Sequence, residues 1–294
     1  MRKKTILSLT VVWLGLTGAA LAQSPAADPN MVFIPVAVNG PKNAYVPGLK
    51  KENFKLLEDG IAQTVTTFYA EDQPIDIDII LALSALQRGR ADLNSGKIRE
   101  AIENFRQQGN PRNKYSVEEM PFGANGIFAA IDQHITRLAT VSTNPRKVLL
   151  VLTDGFENSG GDPARTLQEY AKKLPVPIFI VYAAGASAAP TDIQELGRGA
   201  AIHLSGGAGY EDLARFTGGR LYQAEPDTQL RANLESLAQE FKNQYVLGFK
   251  STNDAKDDKW RKIEIKMVNP PSPLKDKDLK VKVRDRYFVA KPKK

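Results

Sequence analysis

The sequence predicts an α/β fold, a doubly wound, mostly parallel sheet with a small antiparallel β unit formed by the N- and C-terminal segments. Three observations carry this. First, Val148 to Leu152 is an unbroken apolar run that stops at Thr153-Asp154-Gly155, the mark of a strand buried on both faces. Second, between residues 74 and 243 such runs alternate with segments of helical period, which argues for crossovers packed on a parallel sheet. Third, the strands expected at both ends of the chain alternate apolar with charged residues, so each has one wet face.

Taken in order, residues 1–22 read as a secretory signal. Arg2-Lys3-Lys4 precede an apolar core from Ile6 to Leu16, and Ala20-Leu21-Ala22 supply small residues for cleavage before Gln23. The apolar run is short for an uncleaved anchor, so a secreted or periplasmic protein is expected, with no stable membrane insertion after signal removal. Residues 23–30 form a polar linker. Residues 31–70 give the first part of the β unit. Val32, Ile34, Val36 and Val38 alternate as a strand, and Phe54 to Leu57 turns at Glu58-Asp59-Gly60 into a partner strand over about 63–68.

The α/β region, 74–243, opens with a strand from Ile75 to Leu83, then a helix carrying Ile98, Ala101, Ile102 and Phe105 on one face. The polar stretch from Gln107 to Glu119 gives no period, and no strand is assigned between 85 and 122. Ile127, Ile131, Ile135 and Leu138 mark a second helix, and 148–152 the strand already described. Asp162-Pro163 starts a helix striped by Leu167, Tyr170, Ala171 and Leu174, and Pro177 to Tyr182 is a buried strand. Short helices are expected at Thr191 to Gly197 and Tyr210 to Phe216, and a short strand at Arg220 to Tyr222. Asp227 caps a long helix bearing Leu230, Leu234, Leu237 and Phe241. Residues 244–290 return to β structure, with strands at Tyr245 to Phe249, Ile263 to Val268 and Leu279 to Val289. Lys280, Lys282 and Arg284 are expected on a wet face, and this unit is expected to pair with residues 31–70.

Composition excludes several chemistries. The chain of 294 residues has no cysteine, so disulfides, thiolate metal sites and a cysteine nucleophile are ruled out. The formal charge of +7 falls to +4 when Arg2, Lys3 and Lys4 leave with the signal. That excess is too small and too interleaved with Asp and Glu to point to nucleic acid.

Four features, in this order, resemble the bacterial secreted family with a von Willebrand factor type A-related domain. They are Leu49-Lys50-Lys51-Glu52-Asn53-Phe54 running into Glu58-Asp59-Gly60 and Gln63; Val148 to Gly155; Leu213-Ala214 with Thr217-Gly218-Gly219; and Gln244-Tyr245-Val246-Leu247-Gly248-Phe249. The likeness covers about residues 31 to 289. It implies a doubly wound sheet whose carboxyl edge, in members with a complete site, holds a divalent cation that a partner's carboxylate completes.

The family pattern takes Asp-x-Ser-x-Ser from the loop after the first core strand, a Thr from a Gly-rich loop, and the Asp of Thr-Asp-Gly. Here the first motif reads Ala82-Leu83-Ser84-Ala85-Leu86, and the Thr position falls on Asn125. Only Ser84, Asn125 and Asp154 still offer oxygens. A hard cation that wants six oxygens and an oriented water shell is left poorly served, so the resemblance implies no cofactor, or weak Mg²⁺ or Ca²⁺ binding at most. Thr153, Gly155, Glu157 and Asn158 are the expected interaction edge for a protein ligand whose identity the sequence does not give.

Other constellations carry less. His134 lies beside Ile131 and Ile135 and reads as a structural histidine, and His203 sits in a Gly-rich stretch without a cluster. Asp76 and Asp78 lie at the entering end of their strand, away from the expected site, and Glu118-Glu119 reads as surface. Ser84 lacks the Gly-x-Ser-x-Gly elbow of a hydrolase, and Ser205 to Gly209 lacks the Lys-Ser/Thr pair of a phosphate loop. The expected function is therefore a non-enzymatic interaction module, with a metal-dependent adhesion protein as the alternative and an extracytoplasmic hydrolase behind both.

Overall fold

A computed structural model describes residues 31–83, 95–120, 126–142, 144, 146–153, 156–157, 176–182, 202–203, 208–223 and 228–291. The expected signal and linker, the expected helices at 162–174 and 191–197, and the cap Asp227 lie outside the described residues.

The two chain ends fold together, as expected, but into more than a small unit. They make two four-stranded antiparallel sheets enclosing a core of their own. One sheet has the order β14 (Lys280–Val283), β1 (Met31–Asn39), β12 (Gln244–Lys250), β4 (Val65–Tyr69). The other runs β15 (Arg286–Val289), β13 (Lys259–Met267), β2 (Phe54–Glu58), β3 (Ile61–Gln63). Ile34, Val36, Leu56, Tyr245, Leu247, Phe249, Ile263 and Ile265 meet between them. The β2–β3 turn is the predicted one, with Asp59 (φ 48°) and Gly60 (φ 82°) both left-handed.

Two expected strands are in fact two strands each. The run over 63–68 breaks at Thr64, where the chain leaves β3 beside β2 and joins β4 beside β12. The run over 279–289 breaks at Arg284-Asp285, where β14 beside β1 gives way to β15 beside β13. Corners of this kind let one chain segment serve both sheets of a sandwich. Arg284, expected on a wet face, is instead buried at its corner. Its Nε donates to Arg286 O at 2.8 Å and its Nη2 to Phe216 O at 3.0 Å, tying the sandwich to the α/β part.

The chain between the two ends that form the sandwich builds a five-stranded, all-parallel sheet. Its order is β11 (Leu221–Gln223), β9 (Ile178–Tyr182), β7 (Lys147–Thr153), β5 (Asp76–Ala82), β6 (Lys114–Glu119). Helices cover both faces, which is why β7 and β9 can be apolar throughout. On one face, α1 (Ser95–Gln108) and α4 (Thr228–Lys242) pack Ile102, Phe105, Leu234 and Phe241 over Ile77, Leu150 and Phe179. On the other, α2 (Ile127–Thr140) and α3 (Ala208–Thr217) pack Ile131, Ile135, Tyr210 and Leu213 over Ile80, Leu149 and Ile180. No described helix is long and apolar enough to cross a membrane.

β6 lies in the stretch between 85 and 122, where the sequence assigned no strand. It pairs in parallel with β5 from Asp76↔Lys114 to Leu81↔Glu119. Its sequence, KYSVEE, is mostly exposed because it is an edge strand, so it never shows the apolar run that marks β7.

Candidate functional site

Three of the four motifs behind the family resemblance turn out to hold the fold. In the first, Asn53 accepts Lys50 N at 2.8 Å and donates to Asn269 O at 2.7 Å, fixing the start of β2 against the far end of β13. In the third, Thr217 caps α3. Its hydroxyl accepts Ile178 N at 3.0 Å and lies 3.0 Å from the carbonyls of Leu213 and Ala214, while Gly218 (φ 92°) turns the chain. Gly219 passes so close to β9 that an added Cβ would lie 1.9 Å from Ile178 O. In the fourth, the buried Tyr245 hydroxyl donates to Val46 O at 2.7 Å and accepts Leu49 N at 3.1 Å. Gly248 lets Phe33 and Thr67 close over β12, each within 2.9 Å of where a Cβ would stand.

The second motif is the one that ends at a sheet edge. β5 and β7 are neighbours, and the order reverses between them: from β5 the chain passes to β6 on one side, then returns by α2 to β7 on the other. Open parallel sheets bind ligands at the carboxyl ends of the strands flanking such a switch point. The register sets Ala82 opposite Thr153, two residues before Ser84 and one before Asp154. Ser84, Asn125, Asp154, Gly155 and Asn158 themselves lie outside the described residues. Thr153 is fully buried at the end of β7, so it supports the edge from within and does not face outward. Just beyond it, β8 (Phe156–Glu157) pairs antiparallel with β10 (Ile202–His203), with Glu157 opposite Ile202. This two-residue ribbon, unforeseen from sequence, brings Phe156 and Glu157 beside Ile202 and His203.

A second polar constellation lies within the sheet, and the sequence did not assemble it. Asp78 on β5 is 1% exposed and His134 on α2 is 4% exposed. His134 Nδ1 lies 2.8 Å from Asp78 Oδ2, and Nε2 lies 2.9 Å from Glu118 Oε2 on β6. Arg137, one turn along α2, donates from Nε to Asp78 Oδ2 at 2.9 Å and pairs through Nη2 with Oδ1. Carboxylates only accept, so both contacts of the imidazole are made together when the ring donates from both nitrogens. Asp78 also has the Arg137 guanidinium as its counter-charge, while Glu118 and Arg137 keep part of their side chains in water. This arrangement clamps the edge strand and α2 onto the central strand. His134 thus has the structural role the sequence suggested, while Glu118 is a member of the clamp as well as a surface residue.

Asp76, two residues earlier on the same face of β5, accepts Ser142 Oγ at 2.5 Å and Asn144 Nδ2 at 3.4 Å, fastening the turn before β7. A period-two reading puts Asp76 and Asp78 on one side of a buried strand, and that was the signal available for finding both. Among the described residues, no group of three or more His, Asp or Glu is arranged to hold a metal ion. Compared with known proteins, the chain matches no family model and no curated sequence.

Proposed function

We propose that this chain is a secreted, non-enzymatic interaction module of the von Willebrand factor type A-related kind. It presents the loops at the carboxyl edge of its parallel sheet to another protein, largely without metal. The observation that carries this reading is the position of the Thr-Asp-Gly motif. Its Thr153 ends β7 at the switch point, opposite Ala82 at the end of β5, whereas the other three motifs serve caps, corners and close packing.

The donor set supports weak cation binding at most. Where the family pattern has a carboxylate that orients water, Ala82 brings a methyl group to the end of β5, opposite Thr153. Ser84, Asn125 and Asp154 would hold a divalent ion with one formal charge between them. That is little for an ion whose affinity follows ligand charge and site rigidity.

The test is a photo-crosslinking amino acid placed at Asn158, with Arg112 at the opposite, amino edge as the comparison site, in cells that naturally make the protein. A discrete adduct from position 158 and none from 112 is expected. No adduct at 158, or the same adducts from both, overturns the proposal.

A further inference from the structure

We infer that a small-anion site, of a size for chloride, lies at the amino edge of the parallel sheet where the sandwich meets it. This is independent of the carboxyl-edge reading. A partly open cavity of about 40 Å³ lies there, walled by Pro35 of β1 and by Gln244 and Val246 of β12 on one side. Arg146, Lys147 and Pro177, at the starts of β7 and β9, wall the other.

Arg146 is the unusual member. It is 4% exposed, and its guanidinium is engaged by two neutral acceptors: Gln73 O through Nη1, and Phe241 O at 2.7 Å through Nη2. Its Nε is buried with no hydrogen-bond partner among the described residues. Buried charges are ordinarily paired, because an isolated ion loses its hydration with nothing to replace it. Burial accordingly lowers the pKa of Arg146 to about 10, against which only the distant pull of Asp72 acts. The nearest buried carboxylate, Asp76, is already held by Ser142 and Asn144, although it exerts some attraction on Lys147. Lys147 is itself partly buried, with its pKa lowered by desolvation, and lines the same space.

Two cations therefore line a cavity in which, among the described residues, Asp72 and Asp76 attract them but form no ion pair with either. One water needs about 10–15 Å³ of such space, so the cavity admits about three waters or one halide with its contacts. An anion there would offset the desolvated charge of Arg146 and Lys147 and accept hydrogen bonds from these groups and from the Gln244 amide, which line the cavity. Because its walls come from both parts of the molecule, occupancy would also tie the sandwich to the α/β sheet.

Crystals grown with sodium bromide in place of chloride test this directly. An anomalous bromide peak in the cavity, in contact with Arg146, is expected. Water alone in the cavity, with bromide only at surface positions, overturns the inference. In solution, replacing chloride by gluconate at constant ionic strength excludes the anion by size and should lower the thermal midpoint by about 2–4 °C. Because Arg146→Met removes two carbonyl contacts and risks misfolding, Lys147→Met is the variant of choice. It should fold and should abolish the difference between the two salts; a difference that survives it counts against the site.

Discussion

Replacing Gly219 by alanine puts a methyl group where the backbone of a neighbouring strand already is. The new Cβ would stand 1.9 Å from Ile178 O and 2.4 Å from Ile178 C, so the two backbones must part by about 1 Å. β9 cannot yield cheaply. It is an interior strand paired on both sides, and the Ile178 amide is held by Thr217 Oγ1. Overpacking a core costs about 1–3 kcal/mol, and stranding a buried hydrogen-bonding group a similar amount, which gives about 2–6 kcal/mol in all. Gly60→Ala is the control. Gly60 also has a positive φ, at 82°, but nothing lies within 4 Å of its Cβ position, so only the left-handed strain of about 1 kcal/mol remains. Urea unfolding of the chain from Gln23, followed by the fluorescence of Trp260, reads the difference well. Trp260 sits against Phe216, two residues before the Gly-Gly turn, with ring centroids 5.6 Å apart. At about 2–3 kcal/mol per molar urea, the Gly219 variant should lose about 1–3 M in midpoint, and the Gly60 variant less than about 0.5 M. Equal midpoints for the two variants would refute the assignment of Thr217-Gly218-Gly219 as a close-packed cap.

Two further outcomes follow from buried polar groups. His134→Leu frees Glu118 and leaves Asp78 to Arg137 alone, so we expect a loss of about 1–3 kcal/mol and faster amide exchange in residues 114–119. Exchange unchanged in β6 would show that the clamp does not hold it. The protein should also lose stability in alkali. Burial raises the phenol pKa of Tyr45 and of Tyr245 to about 12, and pushes those of Tyr222 and Tyr287 up as well. The unfolded chain ionises these groups near pH 10 while the folded one keeps their protons, so the unfolded state binds fewer protons above that pH. Their contribution is therefore complete below about pH 10 and lost between about 10 and 12. Denaturation midpoints measured across that window should fall, and fall less steeply in Tyr245→Phe; a flat profile contradicts the assignment.

What was legible in the sequence followed from how each segment is buried. Lys147 to Thr153 and Ile178 to Tyr182 are covered on both faces, so their apolar runs announced them. Ile263, Ile265 and Met267 are covered on one, so they alternated. β6 stayed hidden because an exposed edge strand is under no pressure to be apolar. The corners at Thr64 and Arg284 stayed hidden because changing sheets leaves no mark on the local period. Asp78 read only as a carboxylate at the entering end of a strand, since its partners His134 and Arg137 come from α2, far away in the chain. At the carboxyl edge the sequence supplied the ends of β5 and β7, and the structure makes them neighbours at the switch point. Of the expected edge residues, Thr153 is fully buried at the end of β7.

The central claim is that this edge binds a protein with little help from a cation. Calorimetric titration of the chain from Gln23 with Mg²⁺, Mn²⁺ and Ca²⁺, repeated with Asp154→Ala, tests it most directly. The account predicts no binding in the micromolar range for any of the three ions, and no difference between the parent and the variant. Micromolar binding that Asp154→Ala abolishes would contradict it and make Ser84, Asn125 and Asp154 a working metal site.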